Sequence, residues 1–304
     1  MQRDRARPRR LPARLPAGRA GRGRALSAVS VSGLTKTYGD HEALRGIDFT
    51  IEPGEVFGLL GPNGAGKTTT VEILEGYRER TAGSVEVLGT DPQDAGSKWR
   101  ERIGVMLQSS SLYPNLTAIE SLRVFAGYYA APRDPNEVIE IIGLAEKRDA
   151  RVRTLSGGQQ RRLDLGLALI GDPELIFLDE PTTGFDPGAR RNAWDTVRNL
   201  RALGKTILLT THYLDEAEQL ADRVAVLRDG LIVREGKPAE LTGGAVETEI
   251  RYRRGGETIV EKTTDPTRRL HELTTEALGS GETLEHLEVR RPTLEDVYLE
   301  LTAE

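Results

Sequence analysis

The sequence predicts an α/β fold, and three stretches carry that expectation. An apolar run from Val56 to Leu60 reads as a strand and leads straight into Gly61-Pro62-Asn63-Gly64-Ala65-Gly66-Lys67-Thr68, with the spacing G-x-x-x-x-G-K-T. Leu155-Ser156-Gly157-Gly158-Gln159 opens a helix through a capping box, in which Ser156 accepts from the Gln159 N–H and Gln159 reaches back to Ser156. Further along, Leu175 to Leu178 reads as a buried strand that ends in two adjacent carboxylates, Asp179 and Glu180.

Taken in order, the first 27 residues form an arginine-rich segment broken by Pro8, Pro12, Pro16 and several glycines, which can build neither a core nor a continuous helix. Ile47, Phe49 and Ile51 alternate in a strand that turns at Pro53-Gly54, so antiparallel strands are expected over about residues 28 to 60. From Gln108 to Arg153 the pattern is helical. Thr117 and Glu120 make a second capping box, Ile119, Leu122, Phe125 and Tyr129 form one stripe, and Pro135 opens another helix that ends near Gly143. Leu163, Leu167 and Ile170 give the Ser156 helix its apolar face, which Gly171 and Asp172-Pro173 close. Trp194, Val197, Leu200 and Leu203 form a further core-facing stripe before Gly204, and Thr206 to Thr211 is a strand. Asp229-Gly230 between Val224–Leu227 and Leu231–Val233 predicts a hairpin. The last sixty residues read as a hairpin around Gly255-Gly256, a helix over Arg268 to Ala277, a strand over Leu284 to Val289 and a closing helix through Val297 and Leu301.

The chemistry follows from the residue types. Glycines let backbone N–H groups turn inward on a phosphate chain, and the next helix points its positive end at it. Lys67 then reaches the β- and γ-phosphates, Thr68 sets its hydroxyl on Mg²⁺, and Thr69 completes the phosphate-binding set. At a strand end beside such a loop, Asp179 suits the Mg²⁺ shell and Glu180 suits orienting or deprotonating water.

With these motifs in place, the chain resembles the ATP-binding cassette of ABC transporters, from Tyr38 through the phosphate loop, Gln108, the Leu155 to Gln159 signature, Asp179-Glu180 and Asp186 to His212. The resemblance implies that Tyr38 stacks on adenine, that Gln108 senses Mg²⁺ and a membrane partner, that Asp186 contributes to the nucleotide site and that His212 contacts the γ-phosphate. It also implies that two cassettes meet head to tail, so that Ser156, Gly157, Gly158 and Gln159 of one face the phosphate loop of the other. One phosphate loop and one signature therefore require a second copy or a homologous subunit, joined by ATP. The implied layout is a cassette over 28–243 with an antiparallel β subdomain and a helical subdomain at about 109–155, followed by a small α/β domain over 244–304. Two departures from the common wording, Arg80-Thr81-Ala82-Gly83 and Phe185, remove no group that touches nucleotide or metal.

Pro292 to Leu299 resembles the ending of single-cassette ATPases of multidrug and daunorubicin-resistance-type exporters. That points to an ATP-hydrolysing subunit, cytoplasmic and peripheral on the inner face of the cell membrane, which drives efflux of a drug-like or lipid-like compound through a separate permease. A soluble cassette ATPase acting on a macromolecule is the alternative, though such chains usually carry two cassettes or long coiled-coil insertions. A non-hydrolytic regulatory module fits less well with Lys67, Asp179, Glu180 and His212 all present.

Composition agrees. With 304 residues and 38% apolar content the chain can bury a large core, and no apolar run approaches the roughly 20 residues that span a bilayer. Zero cysteines exclude disulfides and cysteine-ligated metal clusters. The total charge is −5, but the first 24 residues carry nine arginines against Asp4, which leaves about −13 on the remainder. An acidic body argues against nucleic acid as a partner. The basic segment reads as a solvated arm or the product of an upstream start, with contact to anionic lipid or nucleic acid, or a transit peptide, as the other readings.

Overall fold

A computed structural model describes residues 27–106, 112–183, 185, 187–241, 248–290 and 296. The basic N-terminal segment up to residue 26, Gln108, Asp186 and the closing helix apart from residue 296 lie outside the described residues.

Strands β1 (Val29–Tyr38) and β2 (His41–Ile51) pair antiparallel, with Val29 opposite Ile51 and Tyr38 opposite His41. Ile47, Phe49 and Ile51 all point into the core, as their alternation predicts. At Pro53-Gly54 the chain leaves this sheet. Strand β3 (Val56–Leu60) pairs in parallel with later strands, which corrects the expectation of antiparallel strands through residue 60. Every residue of β3 is buried. A strand without a polar face belongs inside a sheet covered on both sides, not on a half-exposed antiparallel layer.

Helix α1 (Lys67–Leu74) follows the glycine-rich turn, and β4 (Ala82–Val87) returns to the far edge of β1, so the first sheet has the order β2-β1-β4. After α2 (Ser97–Arg100) comes β5 (Ile103–Met106), then α3 (Ala118–Ala126), α4 (Pro135–Ile141) and α5 (Gly157–Leu169). The main sheet is completed by β6 (Leu175–Asp179), α6 (Pro187–Ala202), β7 (Thr206–Thr211), α7 (Leu214–Leu220), β8 (Arg223–Arg228), β9 (Leu231–Gly236) and α8 (Pro238–Leu241). Its order is β5-β6-β7-β3-β8-β9, parallel throughout except for β9, which forms the hairpin expected at Asp229-Gly230.

Both faces of the main sheet are packed. Phe57, Leu59, Phe177 and Leu208 join the core shared with the antiparallel sheet, while Val56, Ile176, Leu178, Ile207 and Leu209 join the core built with α3, α4 and α5. Alternate residues of one strand thus serve two cores. The register aligns Leu60 with Thr211 and Asp179 with Thr210, so the ends of β3, β6 and β7 lie along one edge.

Past the cassette, β10 (Thr248–Arg254) and β11 (Glu257–Thr263) form the expected hairpin, α9 (Pro266–Ser280) crosses it, and β12 (Glu285–Arg290) pairs with β10. Leu273 of α9 packs on Ile250 and Tyr252 in a core distinct from those of the cassette.

The signature helix lies hard against the sheet. An added Cβ at Gly104 would come 2.3 Å from the Ala168 carbonyl oxygen of α5, a backbone atom that cannot swing aside. Gly104→Ala is therefore expected to push α5 off β5 and to lose about 1–3 kcal/mol of stability as an overpacked core does. Chemical denaturation measures this, and unchanged stability would disprove the tight approach.

Candidate active site

At the shared strand ends lies an open cleft of about 730 Å³. Its floor is the turn after β3. Gly66, with φ +109°, is the residue before α1, and a Cβ there would sit 2.8 Å from the Ala43 carbonyl oxygen, so only glycine fits the turn. Lys67 opens α1, is only 5% exposed, and donates from Nζ to the carbonyls of Gly61 at 2.7 Å and Pro62 at 3.2 Å. Burial pulls its pKa down, against the pull of the nearby Glu180 and Asp179 charges.

The carboxylates reach the same place from β6. Glu180 adopts a left-handed backbone, φ +47°, unusual for a residue with a side chain and a local strain of roughly 1–3 kcal/mol. Thr210 of β7 holds this turn: the Glu180 N–H donates to both its carbonyl and its hydroxyl oxygen, each at 3.1 Å, while that hydroxyl donates to Asp179 Oδ1. One threonine thus fixes both acids. Glu180 Oε2 accepts from the Thr183 hydroxyl at 3.0 Å, and Oε1 lies 3.3 Å from His212 Nδ1 and 3.9 Å from Lys67 Nζ. A cation, a carboxylate and an imidazole therefore converge in a largely buried spot.

Arg161, from the signature helix, braces the turn from beneath, donating from Nη2 to the carbonyls of Asp179 at 2.9 Å and Glu180 at 3.2 Å. Burial lowers its pKa against the neighbouring acids Asp164, Asp179 and Glu180. The roles of Arg161 and Thr210 were not read from the sequence. Arg161 lies two residues past the Leu155 to Gln159 signature, but its partners are 18 and 19 residues away and only the fold brings them together.

Of the site residues expected from sequence, Tyr38, Asn63, Gly64, Gly66, Lys67, Thr68, Thr69, Glu180 and His212 line the one cleft. Gly61 and Pro62 supply the carbonyls that seat Lys67, Ala65 packs in the core, and Asp179 sits behind the rim on Thr210. The Tyr38 ring is 38% exposed, with Lys36 Nζ at 5.0 Å and Arg78 at 5.2 Å from its centroid. His41, Ala43 and Thr183 also line the cleft and carried no signal beyond their nearness to Tyr38 and Glu180. The signature turn is not part of this lining. Its capping box is made as expected, Ser156 N to Gln159 Oε1 at 2.9 Å and Gln159 N to Ser156 Oγ at 3.3 Å, and Ser156 and Gly157 face solvent.

The donor set fits a nucleotide with Mg²⁺. Among the described residues no three His, Cys, Asp or Glu side chains gather into a metal cage, and Mg²⁺ ordinarily needs none, since it takes one or two protein oxygens with phosphate oxygens and water. Asp179 and the Thr68 hydroxyl supply oxygens of that kind.

A second cleft of about 640 Å³ opens between the end of α1, β5 and the helices α3 and α5. Phe125 and Tyr129 give it aromatic walls, and Glu72, Glu75 and Tyr77 line its rim. Burial raises the pKa of Glu75 to about 8, reinforced by the charges of Asp179 and Glu72. Tyr77 and Tyr128 are 80% and 73% exposed.

A profile of the ABC transporter family matches residues 44–183. A Nod factor export ATP-binding protein I from Burkholderia lata is 40% identical over 91% of this chain and 97% of its own length. A daunorubicin resistance ATP-binding protein from Streptomyces coeruleorubidus is also 40% identical, over 91% of this chain and 96% of its own. Among solved structures, an ATP-binding cassette determined as a dimer in a post-hydrolysis state with ADP and Pi superposes with a TM-score of 0.62 at 28% identity, over 69% of this chain and 98% of that one. Among the described residues no helix is long and apolar enough to cross a membrane. The chain belongs to the ABC transporter family, in the exporter-type branch of its ATP-binding, ATP-hydrolysing subunits.

Proposed function

We propose that the cassette works as a pair of head-to-tail copies on a separate permease and drives a drug-like or lipid-like compound outward. The observation that carries this is the split site: cradle, acid and histidine share one cleft, while the capped signature turn, another phosphate-binding helix start, faces solvent elsewhere. A second copy supplies the missing half.

In this reading Lys67 exchanges the Gly61 and Pro62 carbonyls for β- and γ-phosphate oxygens, and the N–H groups from Asn63 to Thr69 cradle the same phosphates. Asp179, Thr68 and Gln108 would hold Mg²⁺, which would supply neutralisation of phosphate charge. Glu180 takes the proton of the attacking water on a carboxylate aimed by Thr183, and His212 donates to the γ-phosphate from the far side of that carboxylate. Tyr38 stacks on the base. Ser156 to Gln159 and Asp186 of the partner copy close the site.

The second cleft is the seat for a cytoplasmic helix of the permease, on the inner face of the membrane. Its aromatic walls and exposed Tyr77 and Tyr128 suit an apolar helix, and its lining includes Ile103 and Val105 of β5, the strand that pairs with the Asp179 strand. The names of the similar proteins, Nod factor export from Burkholderia and daunorubicin resistance from Streptomyces, support an exported cargo and a drug-like one.

Lys67→Ala should weaken ATP binding at least about tenfold through loss of a charged hydrogen bond. Glu180→Gln should keep binding, lose about 10²-fold or more in turnover, and run as a dimer by light scattering with Mg-ATP but as a monomer without it. Wild-type turnover by Glu180→Gln would remove the assigned base, and a monomer under saturating Mg-ATP would point to a different cassette as partner.

Membrane fractions from cells that make the chain should retain it with a multispanning protein identifiable by mass spectrometry, and Tyr129→Asp in the second cleft should release it. Wild-type protein found wholly in the soluble fraction would favour the macromolecule-directed alternative.

Glu75 yields a pH dependence. A carboxyl whose pKa is raised on folding favours the fold while protonated, so its contribution is full below about 4.5 and is lost as pH rises through about 8. Across that window the loss is on the order of a few kcal/mol. Denaturation of Glu75→Gln at pH 5 and pH 9 should show a smaller difference than the native chain, and an equal difference would refute a buried, proton-holding Glu75.

A further inference from the structure

Behind His212 lies a buried polar cluster that the mechanism above leaves unused. Glu216 of α7 is 0% exposed, and among the described residues neither of its carboxylate oxygens has a hydrogen-bond partner. Thr182 Oγ1, Arg190 Nε and Trp194 Nε1 are buried and likewise have no partner among the described residues. These are one group. Burial pushes the Glu216 pKa up, and the hydroxyls of Thr211 and Thr182, the indole N–H of Trp194 and the charge of Arg190 act on the same carboxylate in the opposite direction. Donors from three segments thus surround one acid at the margin of hydrogen-bonding geometry, while the Thr211 hydroxyl donates to the Tyr213 carbonyl at 3.5 Å.

Each segment matters to hydrolysis. Thr182 lies two residues beyond Glu180, in the loop whose Thr183 aims that acid. Thr211 ends β7 immediately before His212, and its hydroxyl accepts from the Tyr213 N–H at 2.9 Å. Arg190 of α6 lies 4.1 Å from the Tyr213 ring centroid and pairs with Asp215 at 3.2 Å, while the Tyr213 and His212 rings are 4.1 Å apart. Buried polar groups are nearly always satisfied, so donors held this near an acceptor need only a small shift to bond it fully.

We propose that Glu216 is a positioning residue for ATP hydrolysis: its carboxylate draws together Thr182, Thr211 and Trp194 and so locks the loop carrying Glu180 to the loop carrying His212. This rests on the roles proposed for those two residues. Glu216 itself is fully buried and does not line the nucleotide cleft. It acts through the two loops, and its bonds close as the γ-phosphate engages His212.

The test uses the full chain with Mg-ATP. Glu216→Gln, which keeps the volume but weakens the acceptor, should lower kcat by about tenfold or more, as loss of an outer-layer partner does, while the Kd for Mg-ATP moves less than about twofold and Tm does not fall. Thr182→Val should lower kcat alone, and the double variant should lose no more than the worse single one, since the two side chains serve one bond. Trp194 gives a signal independent of turnover. In a Glu180→Gln background Mg-ATP should shift the tryptophan emission, and the shift should vanish in both Trp194→Phe and Glu216→Gln. The proposal is overturned by wild-type kcat in Glu216→Gln, by losses that add in the double variant, by equal falls in kcat, affinity and Tm, or by an emission shift that survives Glu216→Gln. Glu180→Gln run in parallel separates the failures, because wild-type turnover there faults the assigned base rather than Glu216.

Discussion

The parallel pairing of β3 with β7, and of β7 with β6, is the constraint on which the site depends. Leu60, Thr211 and Asp179 are brought to one edge by hydrogen-bond register, and register in a sheet packed on both faces is strongly specified. A slip of one residue would exchange Phe57 and Leu59 with Val56 and Gly58 between two filled cores. The cradle, the paired acids and the histidine need no long loops of their own, because each begins where a rigid strand stops. Ligand sites at the carboxyl ends of parallel strands arise generally for this reason.

Electrostatics at that edge are balanced rather than neutral. Lys67 is buried and its charge disfavoured by desolvation, yet Glu180 and Asp179 lie close enough to support it. Two acids beside one lysine and one imidazole favour a ligand that carries its own cation: phosphate alone would face the Asp179 carboxylate, and a cation alone would face Lys67. Phosphate with Mg²⁺ meets both conditions. The strained Glu180 backbone, pinned by Thr210 and braced by Arg161, sets Glu180 Oε1 3.9 Å from Lys67 Nζ, at ion-pair distance.

Much of this was legible in sequence because the relevant physics is local. Glycine spacing dictates a turn, a capping box dictates a helix start, and Asp229-Gly230, with φ +48° and +75°, dictates a hairpin. The β3 strand was misplaced because the Pro53-Gly54 turn says that the chain reverses and not which sheet it joins. The unbroken apolar run from Val56 to Leu60 was the better signal. Thr210, Arg161 and Glu216 were invisible for a different reason: their meaning lies in partners far along the chain, and a threonine, an arginine and a glutamate in isolation each read as surface residues. The signature turn is legible as a helix cap, but its absence from the cleft lining is a fact about three dimensions.

One short element joins the two clefts. Helix α1 begins at Lys67 and Thr68 in the nucleotide cleft and ends at Leu74, next to Glu75 in the aromatic cleft, eight residues or about 12 Å of rigid rod. Its buried face, Val71, Ile73 and Leu74, is set into the core shared by both sheets, so the rod cannot tilt at one end without moving the other. A helix pressed into the aromatic cleft would therefore bear on Lys67 and Thr68, the residues proposed to hold phosphate, through a single packed element. β5 adds a second route, since Val105 in the cleft wall pairs with Phe177 of β6, the strand that ends at Asp179. Close-packed parts of this kind transmit displacement, which is the mechanical requirement for a subunit that converts the loss of a phosphate into movement of a partner.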